Sequence, residues 1–217
     1  MIQLSLPEKT KGKPLRVLCL GAHSDDIEIG CGGTILRLRN QYPTVEFHWV
    51  VFSASGIRGE EARKAAELFV GAGHLRGPVF KSFRDGFLPF EGSRVKDCFE
   101  ELKLQISPDL IFTHTHKDAH QDHRLISGLT WNTFRDHMIL EYEIPKYDGD
   151  LGRPGVFVPL TAEHQEKVTN IMGTFRSQHS KSWFQPETFL SLMRLRGMEC
   201  NAPSGYAEAF YCRKLVL

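Results

Sequence analysis

The stretch Leu15-Arg16-Val17-Leu18-Cys19-Leu20 is a short apolar run that stops at Gly21, and the polar residues His23-Ser24-Asp25-Asp26 follow it closely. A short apolar run bounded by a turn residue is typical of a buried strand. From about Glu28 to Arg39, apolar side chains recur on one side of a predicted helix. A buried strand, a polar loop and a helix in this order form the repeating unit of an α/β fold.

The rest of the first two thirds of the chain repeats this alternation. We predict further strands at Val45–Ser53, Val79–Phe83 and Leu110–Thr113, and further helices at Glu60–Phe69, at Arg94–Ile106 and from near Asp122. Strands that alternate with helices of about 10–15 residues favour a parallel sheet covered on both faces. The predicted fold is therefore α/β, a Rossmann-like and mostly parallel sheet with helices on both faces, in a single domain over residues 1–217.

The pattern weakens after Met138–Tyr142. The segment Pro145–Pro159 is rich in Gly, Pro and Asp, which predicts a long loop. Beyond it we predict helices at Thr161–Met172 and Pro186–Arg196 and a closing strand at Ala207–Leu217. We expect the part of the chain from about residue 145 to shape the mouth of the site.

The composition excludes several classes of protein. With 41% hydrophobic and 24% charged residues, the 217-residue chain is an ordinary globular sequence. A formal net charge of +1 lacks the basic excess of a nucleic-acid binder, and the sequence has no apolar run long enough for a membrane-spanning helix. The stretch Met1–Pro14 does not resemble a signal peptide. Five cysteines without CxxC spacing favour a reducing, cytoplasmic location.

Two polar clusters, Gly21–Asp26 and His114–His123, each come directly after a predicted strand. Loops at the carboxyl ends of parallel strands border the crevice in which ligands bind, so we expect the two clusters to meet there. His23, one of the two adjacent aspartates and His123 would supply the mixed nitrogen and oxygen ligands of a catalytic zinc site with one open position. The same ligands also suit Fe²⁺ or another divalent metal.

At these residues the sequence resembles the PIG-L/LmbE-like family of metal-dependent N-deacetylases, which includes the GlcNAc-phosphatidylinositol, mycothiol and bacillithiol deacetylases. The family pattern A-H-x-D-D-x-E corresponds to Ala22–Glu28 here, and the pattern H-x-D-H corresponds to His120–His123. Ser24 stands where many members have Pro. The segment Tyr206–Phe210 is similar to the closing strand of the family.

The resemblance implies a role for each matching position. His23, Asp26 and His123 would be the metal ligands, and Asp25 would be the general base. His120 would stabilise the oxyanion, with Asp122 fixing its tautomer, and either His120 or Asp25 would protonate the leaving amine. Arg58 matches an arginine that contacts substrate in relatives. An equal alternative to substrate binding is that Arg58 forms a solvated ion pair with Glu61.

The function implied is the removal of an N-acetyl group from an N-acetylglucosamine-type sugar conjugate by a metal-activated water. The expected partner is a small amino-sugar conjugate, with no nucleic acid and no membrane span, and homo-oligomerisation stays open. Two alternatives remain: a metallohydrolase of another amide or an ester, and a non-catalytic sugar-binding protein. Asp118 is interpreted either as a carboxylate that orients a histidine or as a solvent contact.

Overall fold

A computed structural model describes residue 6 and residues 13–216, so most of the stretch Met1–Pro14 lies outside the described residues. In chain order the elements are β1 (Arg16–His23), α1 (Asp26–Gln41), β2 (Glu46–Ser53), α2 (Gly56–Val70), β3 (Val79–Phe80), α3 (Gly92–Gln105), β4 (Leu110–His114), α4 (Gln121–Thr133), β5 (Met138–Tyr142), β6 (Val156–Leu160), α5 (Glu163–Thr174), α6 (Pro186–Glu199) and β7 (Tyr206–Tyr211).

Within the described residues, the strands form one seven-stranded sheet in the order β3-β2-β1-β4-β5-β7-β6. The five strands from β3 to β5 pair in parallel, and β7 pairs antiparallel with both β5 and β6. The structure confirms the mostly parallel α/β sheet.

Helices cover both faces of the sheet because neighbouring strand residues point to opposite sides. One apolar cluster contains Val17 and Cys19 of β1 and packs against α1, α2, α5 and α6. The other contains Leu18 and Leu20 and packs against α3 and α4. Within the stretches that the structure describes, no helix is both long and apolar enough to span a membrane.

The strand order reverses between β1 and β4, which lie side by side although α1, β2, α2, β3 and α3 separate them in sequence. In an open α/β sheet the loops diverge at such a point, and the crevice between them is the usual ligand site. The two polar clusters follow these two strands, and the topology therefore brings them together.

The structure corrects several predicted boundaries. The predicted loop Pro145–Pro159 overlaps a strand, β6, which lies at the edge of the sheet. Pro159 favoured the loop prediction, because proline has no N–H group to donate to a neighbouring strand. An edge strand such as β6 nevertheless tolerates proline, because one side of it has no neighbouring strand. The strand predicted at Val79–Phe83 ends at Phe80, and the closing strand ends at Tyr211, well before Leu217.

Candidate active site

Three side-chain atoms from the two polar clusters form a small triangle at the carboxyl ends of β1 and β4. His23 Nδ1 lies 3.1 Å from His123 Nε2 and 3.3 Å from Asp26 Oδ2, and His123 Nε2 lies 3.5 Å from Asp26 Oδ2. His23 is the last residue of β1, Asp26 is the first residue of α1, and His123 lies in the first turn of α4. All three side chains are buried.

The dimensions of this triangle fit a single metal ion. Zinc binds nitrogen and oxygen ligands at about 2.0–2.1 Å in a tetrahedral arrangement, which places the ligand atoms about 3.3 Å from one another. The observed separations of 3.1, 3.3 and 3.5 Å lie close to that value. Two imidazoles and one carboxylate can therefore hold a divalent cation and leave one coordination position open.

The outer nitrogens of the two histidines contact carboxylates, which fixes the orientation of each ring. His23 Nε2 lies 3.2 Å from Oδ2 of Asp122, and His123 Nδ1 lies 2.9 Å from Oδ2 of Asp118. Such carboxylate–histidine pairs are the usual support of metal-binding histidines. Asp118 is 1% exposed and also contacts Lys146, so the interpretation of Asp118 as a solvent contact is wrong.

His114, the last residue of β4, forms the floor below the triangle. Its ring stacks on His123 with the centroids 3.9 Å apart, and its Nε2 lies 3.2 Å from Asp26 Oδ2. The backbone N–H of Ala22 donates to the same nitrogen at 3.0 Å. His114 therefore connects β4 to β1 by this hydrogen bond and packs on His123 beside the Asp26 carboxylate.

Asp25 lies beside the triangle, directly before Asp26 in the chain. It is buried, and its Oδ1 lies 3.4 Å from Nη2 of Arg58 at the start of α2. Burial and the neighbouring Asp26 raise the pKa of Asp25, while Arg58, His23 and Lys181 partly oppose the rise. A carboxylate with a raised pKa is better matched to proton transfer near neutral pH than a free aspartate.

Arg58 joins Asp25 to a second acidic residue, Asp85. The other guanidinium nitrogen, Nη1, donates to Asp85 Oδ2 at 2.6 Å, and Asp85 Oδ1 lies 3.2 Å from His23 Nε2. Asp85 lies in the loop after β3, so three strand ends contribute to the site.

His120 caps the amino terminus of α4. Its Nδ1 accepts a hydrogen bond from the backbone N–H of Asp122 at 3.2 Å, which leaves Nε2 to carry the proton of a neutral ring. Burial and the nearby His123 and His23 lower the pKa of His120. The half-buried ring lies edge-on to His23, with the centroids 4.9 Å apart.

The side chain of Asp122 has a different partner from the one expected. Its carboxylate contacts His23 and accepts hydrogen bonds from the backbone N–H groups of Gly86 and Leu88 at 2.7 and 3.1 Å. Asp122 sets the tautomer of His120 through its backbone N–H, which donates to His120 Nδ1, and not through its side chain. Asp122 orients His23 and holds the loop after β3 against the site.

The carboxylates favour positive charge at the centre of the triangle. Burial by itself would lower the pKa of His23, but Asp26, Asp122 and Asp85 outweigh it and raise that pKa well above its usual value. Burial likewise opposes ionisation of Asp26, yet His123, His114 and His23 hold its pKa well below the usual range. A site that attracts a proton so strongly also favours a cation, which competes with the proton for the same nitrogen.

The family described as "PIG-L: GlcNAc-PI de-N-acetylase" matches residues 18–134, which is more than half of the chain. This range contains every residue of the geometry described above except Lys146 and Lys181. The "Uncharacterized deacetylase YaiS" of Escherichia coli K12 is 29% identical over 153 residues, which cover 65% of this chain and 78% of that protein.

Solved structures share the fold at low sequence identity. The N,N'-diacetylchitobiose deacetylase from Pyrococcus horikoshii is 20% identical with a TM-score of 0.71, and the match covers 91% of this chain and 83% of that one. GalB, the 4-carboxy-2-hydroxymuconate hydratase from Pseudomonas putida KT2440, is 19% identical with a TM-score of 0.69, and the match covers 93% of this chain and 97% of that one. These likenesses concern the fold alone, since a fold can host different reactions.

Proposed function

This chain belongs to the PIG-L family of de-N-acetylases, and from that membership we propose that it is a metal-dependent hydrolase that removes the acetyl group from an N-acetylglucosamine-type sugar conjugate. The observation that carries the proposal is the triangle of His23 Nδ1, Asp26 Oδ2 and His123 Nε2, with sides of 3.1–3.5 Å. The carboxylate of Asp25 beside it supports a hydrolytic reaction.

His23, Asp26 and His123 would hold the ion, which we propose to be Zn²⁺, with Fe²⁺ or another divalent metal as the alternative. Such an ion, when bound, polarises a carbonyl oxygen and lowers the pKa of water to about 7. Asp118 and Asp122 orient the two histidine rings and keep their ligating nitrogens turned inward.

Asp25 would act as the general base. It would accept the proton of the attacking water, because its carboxylate is buried, has a raised pKa and lies beside the triangle. Arg58, 3.4 Å away, keeps the carboxylate in place. The proton then needs to reach the leaving amine, and Asp25 would deliver it, because the neutral His120 ring, whose Nδ1 accepts from the backbone N–H of Asp122, has no second proton to give.

His120 would stabilise the oxyanion that forms as water attacks the acetamide carbonyl. Its Nε2–H is free to donate because Nδ1 is occupied by the backbone N–H of Asp122. The lowered pKa of His120 favours a neutral donor in this role. One donor of this kind is typically worth about 3–4 kcal/mol in the transition state.

Arg58 and Asp85 would contact the sugar hydroxyls at the mouth of the site. They form an ion pair at 2.6 Å, and part of the Asp85 side chain is exposed to solvent. We also propose that the segment from about residue 145 shapes this mouth within a single domain, since Lys146 reaches Asp118 at 3.1 Å. A cytoplasmic location is proposed from the cysteine pattern.

The test is acetate release from a panel of N-acetylglucosamine conjugates, with the purified protein assayed before and after chelation and after addition of Zn²⁺. We expect turnover that disappears on chelation and returns with the metal. Turnover of ester or other amide substrates alone would favour a different metallohydrolase. Sugar binding without any turnover would favour the non-catalytic alternative and refute the proposal.

A further inference from the structure

Helix α1, which begins with Asp26 of the proposed metal site, is broken one turn further along. Cys31 has φ −143° and ψ 15°, which is not a helical conformation, and helical geometry resumes after it. The helix therefore consists of a short first segment, Asp26–Gly30, and a longer second segment that starts at Gly32. A regular helix would join the two with a hydrogen bond from the N–H of Gly33 to the carbonyl of Ile29.

In the structure, a buried ion pair from distant parts of the chain bonds to both of these backbone groups. The N–H of Gly33 donates to Glu208 Oε1 at 2.9 Å, and the N–H of Thr34 donates to Glu208 Oε2 at 2.6 Å. Lys167 Nζ donates to the carbonyl of Ile29 at 2.6 Å and to Glu208 Oε1 at 2.6 Å. Each of these polar groups at the break thus has a partner in this pair.

The pair is too deeply buried to be a casual surface contact. The side chains of Lys167 and Glu208 are each 3% exposed. Charges at this depth are costly unless they are paired and fully hydrogen-bonded, and a carboxylate is favoured at the amino terminus of a helical segment. Glu208 lies on β7 and Lys167 lies on α5, so the break in α1 is held by two other elements.

The surrounding packing leaves room for the carboxylate only because Gly33 has no side chain. A Cβ atom on Gly33 would come within 2.6 Å of Leu160 Cδ1 and 3.1 Å of Glu208 Oε1. The absence of a side chain at Gly33 therefore lets the Glu208 carboxylate reach the break in α1.

We propose that Glu208 and Lys167 are positioning residues, which hold the first segment of α1 at the angle that brings Asp26 to His23 and His123. The inference rests on the proposed metal site and adds two residues that do not touch it. Without the pair, Ile29 and Gly33 could form their regular bond, the helix would straighten, and Asp26 would move away from the two imidazoles.

The test measures Co²⁺ binding to the metal-free full chain by visible absorption, together with the deacetylation rate of the loaded protein. We expect Glu208→Gln to weaken Co²⁺ binding by about tenfold or more, in line with other residues that support metal ligands. We also expect kcat to fall while KM stays the same, because the substrate contacts are unchanged.

The matched control is Glu143→Gln. Glu143 forms an equally buried ion pair with Arg196 at 2.8 Å, and its other bonds reach Tyr211 and Gly152 and not α1. If the Lys167–Glu208 pair served stability alone, both variants would lose unfolding free energy and both would bind Co²⁺ like the unchanged protein. That outcome would overturn the inference. Failure of the unchanged protein to bind Co²⁺ would instead refute the proposed function.

A second measurement needs no substitution and covers the case in which Glu208→Gln does not fold. Zn²⁺ binding should slow hydrogen exchange at the amides of Gly33 and Thr34 more than at buried Met193 on α6, because the ion and the ion pair stabilise the same position of the first segment. Equal slowing at all three residues would contradict the coupling.

Discussion

His23 Nδ1 and His123 Nε2 lie 3.1 Å apart although the two residues are 100 positions apart in sequence. Both nitrogens also lie within 3.5 Å of Asp26 Oδ2. This convergence leads to the proposed metal site, and five experiments follow from it and from the packing around it.

The first prediction concerns the stability that a bound metal adds. A ligand that binds the folded state at 100 times its dissociation constant stabilises it by about 2.7 kcal/mol. We therefore expect Zn²⁺ to raise the melting temperature of the chelated protein and Asp26→Asn to abolish most of the increase. The measurement is thermal unfolding with and without Zn²⁺. An unchanged increase in Asp26→Asn would place the ion elsewhere.

The second prediction concerns Asp25. Asp25→Asn keeps the shape of the side chain but removes the basic oxygen, so we expect kcat to fall by about 10²–10⁴-fold. The metal content should stay the same, because the carboxylate lies beside the triangle and not in it. Acetate release and elemental analysis give the two values. Asp97→Asn on the exposed part of α3 is the control, and wild-type kcat in Asp25→Asn would exclude the assigned base.

The third prediction concerns His120. Removal of its Nε2–H in His120→Ala should lower kcat by about 10²–10³-fold, because the oxyanion loses a fixed donor. His116→Ala is the matched control, since His116 lies in the same loop and is exposed. The measurement is the steady-state kcat of the His120→Ala and His116→Ala variants on an N-acetyl sugar. A similar loss in both variants would point to damage to the loop and not to a lost donor.

The fourth prediction concerns Asp118, whose carboxylate holds His123 Nδ1 at 2.9 Å. Asp118→Asn should weaken metal binding by about 10–100-fold, as is usual when the partner of a metal-binding histidine is lost. The control is Asp148→Asn, because Asp148 also contacts Lys146, at 3.6 Å, but lies on the exposed side of it. Metal titration gives the dissociation constants of both variants. Equal metal affinity in Asp118→Asn and Asp148→Asn would show that His123 does not need Asp118 to bind the metal.

The fifth prediction concerns the close packing of α1 on the sheet. A Cβ atom on Gly30 would lie 2.2 Å from the ring of Tyr142, so Gly30→Ala should lower the unfolding free energy by about 1–3 kcal/mol. At Gly173 in α5 the same substitution meets open space, and it should stabilise the protein by up to about 1 kcal/mol. Denaturant unfolding of the two variants tests the contrast. Equal stability would show that Tyr142 can move aside.

Much of the fold follows from local patterns in the sequence. The strand at Leu15–Leu20 and the alternation after it predict the parallel sheet, because apolar runs and helical periodicity depend on neighbouring residues. The same patterns predict that the loops containing His23 and His123 meet, since parallel strands end at one edge of the sheet. Local patterns did not predict the edge strand β6, because its surroundings in the sequence have the composition of a loop.

The sequence by itself determined the α/β class, the two polar clusters and the residue types able to bind a metal. The tertiary structure alone decided which side chain meets which: Asp122 turns its carboxylate to His23, Asp118 supports His123, and Glu208 reaches the break in α1 from the far end of the chain. The physical reason is that hydrophobic periodicity is a local property, whereas the direction of a buried polar side chain depends on the partners that distant strands and helices bring to it.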